Sequence, residues 1–198
     1  MYIVGIEGLV RAGKSTLAAR LAARLLAKLI LEYGVYSGGS ATFPKYPPES
    51  YSEAVKSISY FIDIEARRVS DIQHEDKLVV VDRTYLTCLA FDFAARHFTD
   101  FDIYEEARRS WASAEKIEPN LIIFLDVSDE ELDLRIAPDK HKYLPHFFQP
   151  SFNSFMRQFY SMESEQDNRM LRIDADQAIE VVQEQALQIV LERTVGGK

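Results

Sequence analysis

The segment from Glu7 to Thr16, E-G-L-V-R-A-G-K-S-T, has the glycine, lysine and hydroxyl spacing of a phosphate-binding loop. Glycines let backbone amides point at an anion, and a helix that begins after the loop adds the positive end of its dipole. Lys14 supplies a full positive charge, and the Ser15 hydroxyl suits Mg²⁺. The residues predicted to bind a nucleotide here are Gly8, Val10, Arg11, Ala12, Gly13, Lys14, Ser15 and Thr16.

A second charged pair follows the apolar run Leu78-Val79-Val80-Val81. Asp82 and Arg83 come directly after this run, at the edge where open α/β sheets bind their ligands. We therefore expect Asp82 to face a magnesium ion or its waters and Arg83 to face a phosphate. Asp126 ends another apolar run, and the sequence leaves open whether it binds a ligand or stabilises a turn.

Apolar runs that could be buried strands alternate with segments of helical periodicity. The predicted strands are 2–6, 78–82, 121–126 and 170–173, with a further strand within 35–43. The predicted helices are 14–33, 53–73, 85–97, 103–118, the segment capped by Ser128, and 177–193. Strands separated by helices pair in parallel and carry helices on both faces. The expected fold is three-layer α/β, of the P-loop nucleoside triphosphate hydrolase type, with about five parallel strands.

The length of 198 residues suits one sizeable core, and no repeat or linker divides the chain. We predict a single domain over residues 1–198. The segment 137–150, rich in proline, histidine and phenylalanine, is irregular enough to be a flexible lid.

Composition narrows the class of protein. A formal net charge of −8 argues against a nucleic acid polymer as partner, because binding to nucleic acids needs a basic face. The one cysteine, Cys88, excludes an intramolecular disulfide framework and is typical of a reducing compartment. No signal peptide and no run long enough to span a membrane is present, so we expect a cytoplasmic protein.

These motifs resemble those of the thymidylate kinase and deoxynucleoside kinase group. The first segment is similar to the E-G-x-D-R-A-G-K-S-T loop of eukaryotic-type thymidylate kinases, and D-R-T-Y-L-T-C-L-A-F is similar to their D-R-Y-x-x-S-x-x-A-F. N-L-I-I-F-L-D-V and L-R-I-D-A-D-Q-A-I-E-V-V resemble the strand before the lid and the last strand and helix. The resemblance implies a kinase that uses ATP and Mg²⁺, and the related kinases are commonly homodimers.

The resemblance also implies roles for individual residues. The group carries its catalytic arginine either in the phosphate loop or in the lid, and here Arg11 is in the loop while 137–150 contains no arginine. The implied catalytic residues are Arg11, Lys14, Asp82 and Arg83, with Ser15 and Asp82 as magnesium ligands. Further donor-nucleotide contacts are implied for Arg135, Asp174 and Ala175. Acceptor contacts are implied for Phe43, Lys45, Arg67, Arg68 and Arg83.

Several positions depart from the thymidylate kinase pattern, and two of them favour a nucleoside acceptor. Val10 replaces an aspartate that contacts the nucleotide sugar, and a valine side chain cannot accept a hydrogen bond. Thr84 replaces the tyrosine of D-R-Y and is closer to the serine in the E-R-S motif of nucleoside kinases.

Three functions stay open, and the sequence favours the first, ATP-dependent phosphoryl transfer to a nucleoside monophosphate. A nucleoside monophosphate kinase is favoured by Lys45 and by the lack of an acid in 38–45, where we expect the carboxylate of a nucleoside kinase after the second strand. A deoxynucleoside kinase is favoured by Thr84 and Val10, and its neutral 5′-hydroxyl would benefit from a carboxylate base. The third alternative is a nucleotide-binding protein that transfers no phosphoryl group.

Overall fold

Five parallel strands form the centre of the molecule. The structure is a computed structural model and describes residues 1–73, 76–137 and 149–195. The strands are β1 (Tyr2–Gly8), β2 (Lys28–Ile30), β3 (Leu78–Asp82), β4 (Leu121–Asp126) and β5 (Met170–Asp174). Their order across the sheet is β2-β3-β1-β4-β5, and every neighbouring pair is parallel. The predicted α/β fold is confirmed.

Helices cover both faces of this sheet. They are α1 (Lys14–Leu25), α2 (Tyr33–Ser37), α3 (Tyr51–Ser70), α4 (Tyr85–Ala95), α5 (Tyr104–Ser113), α6 (Asp129–Ile136), α7 (Pro150–Gln166) and α8 (Ile179–Val195). Helices α1 and α8 pack together on one face, while α4 packs against α3, α5 and α7 on the other. Ser128 caps α6 as predicted, since its hydroxyl accepts a hydrogen bond from the Glu131 amide. In the part of the chain that the structure describes, no helix combines the length and apolar composition needed to cross a membrane.

The second strand lies in a different place from the one predicted. The helix predicted over 14–33 ends at Leu25, where Leu26 takes a left-handed conformation with φ 50°. The amide of Ala27 then bonds to the carbonyl of Ala22, which closes the helix end. Residues 28–30 pair with β3, so sheet pairing overrides the helical period of the leucines. The predicted strand over 35–43 is wrong, since this segment holds the end of α2 and a 3₁₀ turn at Ser40–Thr42.

The sequence analysis also missed helix α7. Its buried side chains recur at helical spacing as Phe152, Met156, Phe159 and Tyr160, and Pro150 occupies its first turn. The predicted lid over 137–150 falls almost entirely outside the described residues, which include only its first residue and its last two.

Candidate active site

The phosphate loop, residues 8–16, joins the end of β1 to the start of α1. Gly8 has φ +149°, and a side chain there would place its Cβ 2.6 Å from the carbonyl oxygen of Leu125. Gly13 precedes the helix with φ +95°, a conformation that glycine adopts without strain. The loop therefore turns directly into the N-terminus of α1, where backbone amides are available to an anion.

Lys14 is buried at the base of this loop, with 4% of its surface exposed. Its Nζ donates a hydrogen bond to the carbonyl oxygen of Leu9. The pKa of Lys14 is lowered to about 7, first by burial and then by the positive charge of Arg83, while Asp82 and Glu7 act in the opposite direction. Phosphate oxygens bound beside this amine would favour its charged form, so nucleotide binding and protonation of Lys14 are coupled.

A cleft of about 1240 Å³ runs from the phosphate loop to α4. Its phosphate end is lined by the whole loop from Val10 to Thr16, together with Arg20, Arg83 and Arg135. Its opposite end is lined mainly by Phe43, Tyr46, Ile58, Phe61, Cys88, Phe91 and Asp92. The cleft thus joins a cationic half, suited to phosphates, to a largely apolar half, suited to a flat organic group.

Arg11 and Arg83 share an unusual backbone conformation. Each has φ 65°, and Leu26 is the only other described non-glycine residue with a positive φ. Both line the cleft, Arg11 as an exposed residue and Arg83 as a partly buried one. Backbone strain of this kind is concentrated at functional sites, where the surrounding structure holds a side chain in place. The structure therefore brings together the two arginines that the sequence predicted to contact phosphates.

Glu32 is a cleft residue that the sequence analysis missed. It follows β2 by two residues, lines the cleft, and pairs its Oε2 with the Nε of Arg83 at 3.4 Å. The search for an acid after the second strand covered 38–45, because that strand was expected at 35–43. Correct placement of β2 at Lys28–Ile30 would have identified Glu32 as the acid that follows it.

Asp82 ends β3 beside the phosphate loop, since it is paired in register with Ile6 of β1. Its side chain is buried, and Oδ1 has no hydrogen-bond partner among the described residues. An unpartnered buried carboxylate oxygen fits a magnesium ion or its waters, and the exposed Ser15 hydroxyl lies on the adjoining loop. Mg²⁺ held by Ser15, Asp82 and the donor phosphates would neutralise charge on those phosphates.

Two of the three further donor contacts lie together. Arg135 donates to the carbonyl oxygens of Ala12 at 3.4 Å and Ala175 at 2.6 Å, and both Arg135 and Ala175 line the cleft. Asp174 does not line it. Its carboxylate accepts hydrogen bonds from the Asp176 amide and the Gln177 side chain, which hold the turn after β5. Gln177 lines the cleft and extends this wall.

The structure brings neither arginine of α3 into the cleft. Arg68 is fully buried, pairs with Glu65 at 2.6 Å, and donates to the carbonyl oxygens of Leu31, Asp82 and Arg83. It therefore holds the ends of β2 and β3 together instead of binding an acceptor. Arg67 is exposed and donates to the carbonyl oxygen of Tyr36 at 3.3 Å. The helical period alone could not distinguish a buried structural arginine from one that faces a ligand.

Phe43 and Lys45 do line the cleft, as expected. The ring of Phe43 meets that of Phe61 edge to face, with centroids 5.1 Å apart. Lys45 is exposed and forms an ion pair with Glu49, four residues later in the chain. Asp126, whose role was left open, pairs with Arg157 and Arg172 and does not line the cleft, so its contacts are those of a structural residue.

Glu7, directly before the phosphate loop, anchors two helices. Its fully buried carboxylate accepts hydrogen bonds from the amide and hydroxyl of Thr84, at 2.7 and 2.6 Å, and from Thr87 at 2.6 Å. It also accepts one from the hydroxyl of Tyr160 at 2.7 Å. Thr84, which departs from the expected tyrosine, is thus buried at the N-cap of α4 and fixes the segment that carries Arg83. The sequence analysis assigned no role to Glu7.

Comparison with known proteins identifies the family of the chain. The sequence model described as thymidylate kinase matches residues 49–186, which is more than half of the chain. No curated protein shows significant sequence similarity to the chain.

Solved structures of kinases share the fold. Deoxyadenosine kinase from M. mycoides with bound dCTP is 18% identical, with 96% of this chain and 99% of that chain covered and a TM-score of 0.73. Thymidylate kinase from Candida albicans is 18% identical, with coverage of 98% and 92% and a TM-score of 0.73. Thymidylate kinase from Ehrlichia chaffeensis is 16% identical, with coverage of 96% and 98% and a TM-score of 0.66. Because the thymidylate kinase sequence model matches more than half of the chain, the chain belongs to the thymidylate kinase family and is a nucleotide or nucleoside kinase.

Proposed function

We propose that the protein transfers the γ-phosphoryl group of ATP to the 5′-hydroxyl of a nucleoside. The observation that carries this proposal is the position of Glu32, a carboxylate in the cleft beside Arg83. A neutral hydroxyl must lose its proton during transfer, and a carboxylate within reach can accept it. The sequence favoured a monophosphate acceptor because no acid was found after the expected second strand, and that premise does not hold for the strand in the structure.

The charges of the cleft support the same acceptor. A monophosphate brings negative charge that Glu32 would repel, and it needs cations that are not already paired. Of the three cations besides Arg83 that were expected to contact the acceptor, Arg67 and Arg68 do not line the cleft, and Lys45 is paired with Glu49. Arg83 is itself paired with Glu32.

The remaining residues serve the donor. Lys14 and the loop amides bind the donor phosphates, and Arg11 stabilises the charge that develops on the moving phosphoryl group. Arg83 holds Glu32 toward the acceptor and contributes positive charge near the transferred group. Ser15 and Asp82 would hold Mg²⁺, which would supply the charge neutralisation that phosphoryl transfer requires. Arg135 and Ala175 form the wall for the rest of the donor nucleotide.

A monophosphate kinase is the second candidate, because Phe43 and Lys45 lie on a cleft segment that resembles the one contacting acceptor phosphates in the family. Among the structural neighbours, one is described as a deoxyadenosine kinase and two as thymidylate kinases, so both activities occur on this fold. The third alternative, binding without transfer, is set aside because the family is one of kinases.

The variant Glu32→Gln tests the proposal. It keeps the shape of the side chain and removes the base, so turnover with a nucleoside should fall by about 10²-fold or more. The dissociation constant for ATP should stay within a few-fold. Glu49→Gln, a matched change at an exposed glutamate outside the cleft lining, should keep normal turnover. Unchanged nucleoside turnover in Glu32→Gln would exclude Glu32 as the base.

A further inference from the structure

Asp92 places a carboxyl group in the apolar half of the cleft. Thr84, Cys88 and Asp92 are spaced four residues apart and lie on one side of α4, and the last two line the cleft. Asp92 lies two helical turns beyond the Thr84 cap, which is about 12 Å along the helix axis. Because Arg83 and Glu32 lie at the start of that helix, an acceptor whose reacting oxygen is beside them would extend its far end toward Asp92.

The surroundings of Asp92 fit a flat ring. Tyr46 and Phe91 pack edge to face with centroids 5.2 Å apart, and Phe43 and Phe61 do so at 5.1 Å. The hydroxyl of Tyr46 donates to the carbonyl oxygen of Phe91 at 2.8 Å, so it is already engaged within the wall. Aromatic and aliphatic side chains of this kind supply contact area and leave the choice of base to a small number of polar groups.

Among the described residues, none donates a hydrogen bond or forms an ion pair with Asp92. Burial raises the pKa of Asp92 to about 8, with no contribution from a cation. Its titratable neighbours are Cys88 and Tyr46, and burial raises the pKa of both well above their ordinary values, so both are neutral at physiological pH. A partly buried carboxyl in such surroundings is costly unless a ligand supplies the missing donor.

We propose that Asp92 recognises the base of the acceptor and selects bases with an exocyclic amino group, adenine or cytosine, over those with a carbonyl oxygen at that position. This proposal rests on the proposed function, because it assumes that the base of the acceptor nucleoside lies in the apolar half of the cleft. It names a specificity residue that the family motifs quoted above do not include.

The selectivity follows from hydrogen-bond chemistry. An amino group has N–H donors for a carboxylate oxygen, as in the pairing of Asp or Glu with the N4 amino group of cytosine. A carbonyl oxygen at the same position has no hydrogen to donate, so when Asp92 is ionised two acceptors would face each other. Sites that lose a buried hydrogen bond in this way discriminate strongly between otherwise similar ligands.

Two pairs of ligands exchange this amino group for a carbonyl oxygen, which also places a hydrogen on the adjacent ring nitrogen, and they provide the test: deoxycytidine with deoxyuridine, and deoxyadenosine with deoxyinosine. Dissociation constants are measured by calorimetry at about pH 8.5, where a carboxyl of raised pKa is mainly ionised and can only accept. The wild type should bind the amino member of at least one pair about tenfold or more tightly. Asp92→Asn should bring that ratio close to one, because an amide can donate to a carbonyl oxygen as well as accept.

Asp63→Asn, the same change at an exposed residue of α3 that does not line the cleft, should keep the wild-type ratio. A wild-type ratio near one in both pairs, or a ratio that Asp92→Asn leaves unchanged, would overturn the proposal. The 5′-monophosphates of the same bases are measured in parallel. If only monophosphates bind but the ratio still depends on Asp92, the proposed nucleoside acceptor is wrong and the role of Asp92 stands.

Discussion

The Nε of Arg83 lies 3.4 Å from Oε2 of Glu32, which joins the residue after β3 to the segment after β2. The pair is partly shielded, with 16% of the Arg83 side chain and 38% of the Glu32 side chain exposed. It places Glu32, the acid proposed to accept a proton, next to Arg83, a cation proposed to lie near the transferred phosphoryl group. The buried Arg68 fixes this arrangement, because it donates hydrogen bonds to the carbonyl oxygens of Arg83 and of Leu31, the residue before Glu32.

Arg11→Ala should lower turnover by about 10³-fold, since an arginine that meets charge developed only in the transition state acts mainly on rate. The dissociation constant for ATP should change little. Arg11→Lys should restore little of the activity, because an ammonium group lacks the planar two-pronged contact of a guanidinium. Arg20→Ala, at another arginine that lines the cleft, is the matched control and should be milder. Near-normal turnover in Arg11→Ala, measured by steady-state kinetics, would exclude the catalytic role.

Asp82→Asn should raise the magnesium concentration needed for half-maximal activity and lower turnover by about 10²-fold. Its melting temperature should stay close to that of the wild type, since Oδ1 has no partner among the described residues. Asp126→Asn provides the contrast, because Asp126 pairs with Arg157 and Arg172 away from the cleft. That variant should lose stability and keep its magnesium dependence. If both variants need the same magnesium concentration for half-maximal activity, Asp82 is not a ligand of the metal or of its waters.

Glu7→Gln should lower the free energy of unfolding by about 1–3 kcal/mol, because an amide group cannot accept all four hydrogen bonds that the buried carboxylate accepts. Tyr160→Phe removes one of the four donors and should cost about 1 kcal/mol. Tyr51→Phe, at an exposed tyrosine, is the control. Urea unfolding measures all three variants. A cost for Glu7→Gln no larger than that for Tyr51→Phe would mean that Glu7 does not anchor α4 and α7.

Local sequence was sufficient to predict the strands and the loop that are proposed to bind the donor. The strands at 78–82 and 121–126 are confirmed at the predicted residues. They could be predicted because a buried parallel strand has a continuous sequence of β-branched and other apolar residues. The phosphate loop lies between β1 and α1 as expected, because the spacing of its glycines and lysine is typical of a loop between a strand and a helix. In these segments the local preference and the tertiary environment agree.

The acceptor side depended on contacts that the sequence does not show. Strand β2 has three residues within a leucine-rich helical pattern, and only its pairing with β3 makes it a strand. Because the second strand was predicted within 35–43, the acid that follows it was expected within 38–45, and Glu32 was not recognised. The family resemblance implied an acceptor contact for Arg68. Its actual partners are mainly backbone carbonyls, which have no sequence signature. Asp92 was missed because its place in the cleft follows from how α4 packs.

The acceptor itself provides the most direct test of the account. Purified protein is incubated with labelled ATP, Mg²⁺ and either a deoxynucleoside or its own 5′-monophosphate, for each of the four common bases, and the labelled product is identified. The position of Glu32 predicts a labelled monophosphate as product, with kcat/KM for the best nucleoside about tenfold or more above that for any monophosphate. Labelled diphosphate as the main product, with the nucleosides inert, would contradict the account.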